Sequence, residues 1–215
     1  MVVEWKISEK PVEYLAAVCE MEQRVHDIHS DGADDLLWAL EHPPLYTAGT
    51  SAKEEDLKSP KFPVFETGRG GQYTYHGSGQ RIYYMILNLK NIFQAPDIKK
   101  YIWNLEECII QSLAHFDIVG ERREGRVGIW VICPDGQEKK IAAIGVRVRH
   151  WIAYHGVSVN LSPDLSHFSE IVPCGISEYG VTSFSDLGKD ISSHEFDAFF
   201  QKSFKKVFNL PLDCS

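Results

Sequence analysis

Two consecutive stretches, residues 140–149 and 154–161, constrain the fold of this 215-residue chain most strongly. In the first stretch Ile144, Val146 and Val148 alternate with glycine and arginine, so these apolar side chains share one face. A period of two is what a half-buried β-strand requires, and the second stretch is predicted to be a strand as well. A β-sheet is therefore the framework against which the rest of the chain must pack.

More strands are predicted from the same kind of pattern. Residues 36–41, 82–89 and 127–132 are short apolar runs bounded by polar or turn-forming residues. Pro134-Asp135-Gly136 is a turn signal that links the last of these runs to the strand at 140–149. The sheet is therefore expected to be largely antiparallel.

Three amphipathic helices are expected to cover this sheet. Residues 11–30 and 97–116 carry apolar side chains at helical spacing. Ser192 and Glu195 have the spacing of a capping box ahead of a phenylalanine-rich third helix. We expect one α+β domain over residues 1–215, with a mainly antiparallel sheet flanked by helices.

Composition and charge argue against several classes of protein. The formal net charge of −8 argues against nucleic acid as a partner, because such binding depends on cationic contacts to phosphate. Five cysteines without a C-x-x-C pair indicate neither a disulfide framework nor a four-thiolate zinc site. No apolar run approaches the ~20 residues of a membrane span, and the first residues lack a signal-peptide pattern. We therefore expect a cytoplasmic protein that binds no metal, no nucleic acid and no membrane.

The most unusual segment is residues 67–80, which holds five glycines among hydrogen-bonding side chains. Glycine lets the backbone approach a ligand closely and present its N–H groups. The segment is therefore either a ligand-binding loop or a glycine-rich β-hairpin turn. It matches neither a Walker loop nor a nucleophile elbow, which disfavours nucleotide hydrolysis and serine-esterase chemistry.

One cysteine stands apart from the others. Cys174 lies between Pro173 and Gly175 in a predicted loop, where a thiolate nucleophile would be accessible. An inert loop cysteine is the alternative. The remaining cysteines fall at helix faces, a strand end and the C-terminus, and they are Cys19, Cys108, Cys133 and Cys214.

Two lysines, Lys139 and Lys140, enter the strand at 140–149. An ammonium group beside a thiol would lower the thiol pKa, and one pKa unit corresponds to ~1.4 kcal/mol. It would also handle the proton when an amine attacks a thioester. The other interpretation is a solvated lysine pair that follows a turn.

Three motifs in this order resemble the octanoyl (lipoyl) transferases of lipoate biosynthesis. The family's R-G-G-x-x-T-Y-H-G-x-G-Q signature matches residues 69–80, its K-I-A-x-x-G strand matches residues 140–145, and its P-C-G-I loop matches residues 173–176. The order and spacing agree over most of the chain. The resemblance implies a fold like the catalytic domain of biotin and lipoate protein ligases.

The resemblance also implies which residues act. Cys174 matches the catalytic thiol of the family, and Lys140 matches the lysine that tunes it. Three segments are expected to bind the acyl chain and its thioester. Their residues are Arg69, Gly70, Gly71, Gln72, Tyr73, Thr74, Tyr75, His76, Ala143, Ile144, Gly145, Gly156, Val157 and Ser158.

The implied reaction passes octanoyl from octanoyl-acyl carrier protein to Cys174, and then to a lysine ε-amine of a lipoyl domain. The implied acceptors are the lipoyl domains of 2-oxoacid dehydrogenase complexes and the glycine cleavage H protein. No cofactor is expected, because a thioester already carries an activated acyl group.

One position departs from the family pattern. Ser78 stands where many members have proline in H-G-P-G-Q, and we expect altered loop stiffness without loss of chemistry.

The resemblance implies acidic partners, so docking onto this acidic chain requires a positive patch. The arginines that could form it are Arg122, Arg123, Arg126, Arg147 and Arg149. The alternative is that they only solvate a sheet face or pair with Glu121 and Glu124.

Three other functions are alternatives. An ATP-dependent lipoate or biotin protein ligase would activate a free acid as an adenylate and would not need a thiol at position 174. A non-catalytic protein that binds lipoyl domains would have lost the chemistry, and the presence of Cys174, Lys140 and His76 argues against it. A thiol hydrolase would form the same thioester and release the acid to water.

Overall fold

The computed structural model describes residues 2–171 and 179–213 of the chain. Its helices are α1 (Tyr14–Ser30), α2 (Leu89–Ile92), α3 (Ile98–Ala114) and α4 (Ser193–Phe208), with 3-10 turns at Glu54–Asp56 and Leu165–Glu170. Its strands are β1 (Val3–Ile7), β2 (Asp35–Leu40), β3 (Leu45–Ala48), β4 (Val64–Glu66), β5 (Tyr73–His76), β6 (Gln80–Asn88), β7 (Glu121–Arg123), β8 (Arg126–Ile132), β9 (Glu138–Arg149), β10 (Ile152–Asn160), β11 (Gly180–Val181) and β12 (Leu212–Asp213).

The strands form a large sheet and a small one. The large sheet has the order β12-β1-β2-β6-β10-β9-β8-β7, with β11 paired to β9, and the small sheet has the order β4-β3-β5. Neighbours from β2 to β7 are antiparallel, whereas β1 runs parallel to both β2 and β12. The expected mainly antiparallel sheet of an α+β fold is confirmed.

Successive side chains of β2 point to opposite faces of the sheet and pack into two different hydrophobic cores. Leu37 and Ala39 belong to a cluster with the apolar faces of α3 and α4. Leu36, Trp38 and Leu40 join the apolar face of α1 on the opposite side of the sheet. All residues of β2 are buried, as expected for a strand with helices on both faces. The predicted covering of the sheet by helices is therefore confirmed.

The three predicted helices are present with slightly different bounds. The capping box before α4 is formed, because the Ser192 hydroxyl accepts from the Glu195 N–H at 3.2 Å and the Glu195 carboxylate accepts from the Ser192 N–H at 2.9 Å. Asn209, in the left-handed conformation, ends this helix. Among the residues described, no helix is both long and apolar enough to cross a membrane.

A buried ion pair attaches α4 to the sheet. The Arg81 guanidinium on β6 donates to both carboxylate oxygens of Asp197 on α4, at 3.0 and 2.6 Å. The Tyr83 hydroxyl donates to the same carboxylate at 2.6 Å. Both charged side chains are almost fully enclosed, so each depends on the other for its solvation.

We expect Asp197→Ala to lower the free energy of unfolding by about 3–5 kcal/mol, because it leaves the Arg81 charge buried without its partner. Denaturant unfolding measures this change. Lys53→Ala is the control, since its 3.6 Å ion pair with Glu55 is exposed and its loss should change stability by no more than about 0.5 kcal/mol. Equal effects of the two substitutions would contradict the structural role of the buried pair.

Candidate functional site

A cavity of about 250 Å³ opens on the face of the large sheet that α1 covers. Its walls come from β6, β9 and β10 and from the loop at residues 69–72. All of the predicted acyl-binding residues except Gly70 and Tyr75 line it, and so does Lys140. The three sequence-distant segments of the prediction therefore meet at one cavity.

Small residues on two neighbouring strands make room for this cavity. Gly145 on β9 pairs with Gly156 on β10, and Ala143 pairs with Ser158 two residue pairs further along the same two strands. A Cβ at Gly145 would lie 2.8 Å from Cδ of Arg69, and a Cβ at Gly156 would lie 2.1 Å from the Tyr83 carbonyl oxygen. Both positions therefore require glycine for close approach.

Arg69 organises the glycine-rich loop above the sheet. Its Nη2 donates to the Thr47 carbonyl and hydroxyl oxygens, at 3.0 and 2.7 Å, and to the Gln72 carbonyl oxygen at 3.0 Å. The Gly70 N–H donates to the Val146 carbonyl oxygen at 2.9 Å, which ties the loop to β9. The segment is thus a loop over a cavity, and its β5 strand pairs with β3 and not with β6. Of the two interpretations of this segment, the hairpin is wrong.

Two buried histidines, His76 and His155, line the cavity, and a third, His42, packs against His76 and Tyr84. Burial lowers the pKa of His42 to about 4 and that of His76 to about 3, the latter with help from nearby His42. Burial, followed by the Arg69 charge, lowers the pKa of His155 to about 3. All three imidazoles are neutral at physiological pH. His155 adopts a left-handed backbone conformation, with φ 61°, inside β10, and such strain recurs at functional sites.

Tyrosine hydroxyls add uncharged polar groups at the same end. Tyr84 contacts His42 through a 2.7 Å hydrogen bond between its hydroxyl and Nε2. Burial raises the pKa of Tyr14 to about 12, against the opposing effect of Arg69, so this hydroxyl stays protonated. The cavity therefore combines apolar walls with neutral polar groups and the Arg69 guanidinium.

Lys140 is buried at the other side of the cavity. Its Nζ donates to the Val127 carbonyl oxygen at 3.1 Å and lies 4.8 Å from the centroid of the Trp130 ring. Lys139 instead extends from the opposite side of the strand to Asp135, with a 3.3 Å ion pair. The interpretation of a solvated pair is therefore wrong for Lys140.

Cys174 lies outside the described residues, in the segment 172–178. Shortly after this segment, β11 runs parallel to β9, with Val181 opposite Lys140. The Thr182 N–H donates to the Lys140 carbonyl oxygen at 3.0 Å. The chain that follows the Cys174 segment therefore runs directly beside Lys140.

The arginines proposed for docking are mostly neutralised within the fold. Arg122 pairs with Glu106 and Glu107, Arg123 with Glu121 and Glu138, and Arg126 with Glu138. Arg147 lies 3.7 Å from Glu22. Arg149 is exposed at the end of β9. The alternative of local pairing is confirmed for Arg123 with Glu121, while the docking role stays a prediction.

Several cavity residues were not identified from the sequence. Thr47 lies on β3, a four-residue strand too short to stand out by periodicity, and Tyr14 is the first residue of α1. The others that line the cavity are Ser51, Ile82, Tyr84, Gly125, Arg126, Val127 and His155.

Comparison with known proteins gives consistent matches. The family model of the lipoyl protein ligase A/B catalytic domain matches residues 15–205. An octanoyltransferase of Paramagnetospirillum magneticum is 56% identical over 207 residues, which cover 96% of this chain and 97% of that protein.

Solved structures share the fold at low sequence identity. A bipartite lipoate protein ligase from Thermoplasma acidophilum has a TM-score of 0.72 at 15% identity, covering 99% of this chain and 86% of the other. The biotin protein ligase of Aquifex aeolicus in complex with biotin and ATP has a TM-score of 0.57 at 13% identity, covering 97% and 70%. The expected likeness to the catalytic domain of lipoate and biotin protein ligases is confirmed for the fold.

Proposed function

Because the chain belongs to the octanoyltransferases of the lipoyl protein ligase A/B catalytic domain family, we propose that it moves octanoyl from acyl carrier protein to lipoyl-domain lysines. The family makes it an acyltransferase. The donor, the thioester on Cys174 and the acceptors in 2-oxoacid dehydrogenase complexes and the glycine cleavage H protein are parts of this proposal. The observation that carries it is the convergence of Lys140 and the acyl-binding segments on one cavity.

The reaction has two acyl transfers. In the first, the Cys174 thiolate attacks the thioester carbonyl of octanoyl-acyl carrier protein, a new C–S bond forms, and the carrier thiolate leaves and takes a proton from the Lys140 ammonium. In the second, a lysine ε-amine attacks the new thioester, the amide forms, and the Cys174 thiolate is released. The proton lost by the amine passes to Lys140, which is neutral at this stage because it gave up its own proton in the first transfer.

The cavity suits a saturated acyl chain. It runs across β9, β10 and β6, and strands lie about 4.8 Å apart, so two strand spacings give about 10 Å. An eight-carbon acyl group is about 9 Å long, given carbon–carbon bonds of about 1.5 Å in a zigzag chain. Burial of about six methylenes at ~0.8 kcal/mol each contributes about 5 kcal/mol to the free energy of acyl-chain binding. Octanoyl thus fits between Lys140 and the Tyr84 side of the cavity.

Among the thiols of the described residues, none competes well with Cys174 as the nucleophile. Cys108 and Cys133 are buried in the core between the sheet and α3, and burial raises the pKa of Cys108 well above its usual value. Cys19 is exposed on α1 and does not line the cavity. A buried neutral thiol is a weak nucleophile.

The choice of donor tests the proposal directly. Purified protein is incubated with a lipoyl domain and either octanoyl-acyl carrier protein without ATP or free octanoate with ATP. We expect octanoylation of the lipoyl domain only with the carrier donor. Activity only with octanoate and ATP would identify an ATP-dependent ligase and overturn the proposal, and release of free octanoate without acceptor modification would identify a hydrolase.

A larger side chain at the cavity wall should shorten the preferred acyl chain. We expect Ala143→Leu to lower kcat/KM for octanoyl transfer by about 10- to 200-fold relative to butanoyl, because it narrows the cavity at β9 and a longer chain must extend past this point towards β6. The measurement compares kcat/KM for carrier protein loaded with four-, six- and eight-carbon acyl groups.

Ala16→Leu makes the same chemical change at an exposed position of α1 and serves as the control. It should leave the chain-length preference unchanged. An unaltered preference in Ala143→Leu, in protein with normal stability, would remove this cavity as the acyl site.

A further inference from the structure

A continuous chain of buried side-chain hydrogen bonds leads from Arg69 to the strand beside Lys140. Arg69 Nη2 lies 2.7 Å from Thr47 Oγ1, and Thr47 Oγ1 lies 3.3 Å from His76 Nε2. His76 Nδ1 lies 2.6 Å from Gln80 Oε1, and Gln80 Nε2 lies 2.9 Å from Asn160 Oδ1. Asn160 Nδ2 then lies 2.9 Å from the carbonyl oxygen of Thr182. These groups are all buried.

The Thr182 end of this chain fixes the direction of its hydrogen bonds. The Thr182 carbonyl can only accept, so the Asn160 amide donates to it and presents Oδ1 to Gln80. The Gln80 amide nitrogen therefore donates to Asn160, and also to the Tyr75 carbonyl oxygen at 3.1 Å. Gln80 Oε1 is left as an acceptor, so its partner His76 Nδ1 must carry a proton.

The other end is compatible with this assignment. A guanidinium can only donate, so Thr47 Oγ1 accepts from Arg69, which leaves the hydroxyl proton available to His76 Nε2. In a neutral ring with its proton on Nδ1, Nε2 is the acceptor for that hydroxyl. Burial, which lowers the pKa of His76 to about 3, agrees with this state.

The chain connects parts of the fold that must be held together for transfer. Thr47 and His76 lie on the small sheet, while Gln80 and Asn160 lie on β6 and β10 of the large sheet. Thr182 follows β11, and its N–H donates to the Lys140 carbonyl oxygen. The network thus links the loop over the cavity to the backbone that adjoins Lys140.

We propose that Gln80 and Asn160 are positioning residues, which hold His76 as its neutral Nδ1–H tautomer and fix Arg69 and the β11 backbone on either side of the cavity. This inference rests on the proposed transferase function for its kinetic consequence and on the hydrogen bonds alone for its structural one. His76 is accordingly a fixed polar wall of the cavity and not a general base, since its Nε2 lone pair is already engaged.

Gln80→Glu tests the network with almost no change in size. An ionised carboxylate still accepts from His76 Nδ1 but cannot donate to Asn160 or to the Tyr75 carbonyl oxygen. We expect this variant to convert His76 to the doubly protonated imidazolium near neutral pH and to lower kcat/KM for octanoyl transfer about 10- to 100-fold, as misplacement of reacting groups does. Gln137→Glu, at an exposed turn position, is the matched control and should change neither property.

Long-range ¹H–¹⁵N correlation spectra of the imidazoles report the protonation state and the tautomer of His76 independently of enzymatic activity. The unsubstituted protein should show a neutral ring protonated at Nδ1, and a ring protonated at Nε2 would overturn the network. Asn160→Asp, which cannot donate to the Thr182 carbonyl oxygen, gives a second test should Gln80→Glu fail to fold.

The two proposals fail in different ways. If the unsubstituted protein transfers no octanoyl, the function is wrong while the imidazole spectra still test the network. If it transfers octanoyl and folded Gln80→Glu is equally active, the positioning role is wrong and the function stands.

Discussion

Lys140→Met should lower the rate of octanoyl transfer by about 10²- to 10⁴-fold, the range expected when a positioned acid–base group is lost. Methionine keeps most of the buried aliphatic stem but lacks the ammonium that contacts Val127 and the Trp130 ring. Rapid-quench measurement of both acyl transfers shows which step loses rate. We expect both steps to slow, since the lysine tunes the thiol in the first and takes up a proton in the second.

The neighbouring lysine provides a matched control. Lys139→Met removes an ammonium one residue away that is paired with Asp135 and not with the cavity. It should keep at least about half of the activity, because loss of such an exposed pair has little effect. Similar losses in the two variants would show that the charge of the segment matters and not the position of Lys140.

Cys174→Ser should reduce octanoyl transfer by a factor of at least about 10⁴, since the covalent route depends on this one nucleophile. A serine hydroxyl has nearly the same size but is far less ionised at neutral pH. Steady-state octanoylation of a lipoyl domain measures the loss. Alkylation of Cys174 with iodoacetamide should abolish turnover in the unsubstituted protein as well.

Cys19→Ser is the control for this substitution, because Cys19 is exposed on α1 and lies away from the cavity. It should leave turnover unchanged. Turnover that persists in Cys174→Ser would transfer the nucleophilic role to another residue and remove the basis of the thioester route.

The long elements of the fold could be predicted from periodicity alone. The strands β2, β6, β8, β9 and β10 and the helices α1, α3 and α4 each carry enough alternating or helical positions to be identified within a few residues. The short strands β1, β3, β4, β5, β7, β11 and β12 could not, because two to five residues do not establish a period. The pairing of some of them depends on contacts distant in sequence, such as that of β1 with β12.

Some residues of the candidate site could likewise be identified from the sequence, and others could not. Gly71, Gly145 and Lys140 were identifiable because motifs carry them, and the structure places them around one cavity. Thr47 and Asn160 carried no local signal, since an isolated threonine or asparagine in a strand is ordinary. Their role follows from their hydrogen bonds, which join Thr47 to the Arg69 guanidinium and Asn160 to the Thr182 carbonyl oxygen. Only the three-dimensional fold brings these groups together.

Charge was the least reliable guide to function. The cluster of arginines at residues 122–126 suggested a docking surface, yet these side chains pair with Glu106, Glu107, Glu121 and Glu138. Two of these acidic partners lie on α3, so the sequence could not show that the arginines are neutralised. Sequence counts of charge do not locate an electrostatic surface unless the pairing is known.

In the proposed mechanism the acyl group rests on Cys174 between donor and acceptor. Intact-protein mass spectrometry, after mixing with octanoyl-acyl carrier protein, should show one octanoyl adduct that peptide mapping places on Cys174. Addition of a lipoyl domain should then move the same octanoyl group to the acceptor lysine within a single turnover. Octanoylation of the lipoyl domain without any adduct at Cys174, or an adduct there that the acceptor never removes, would contradict this mechanism.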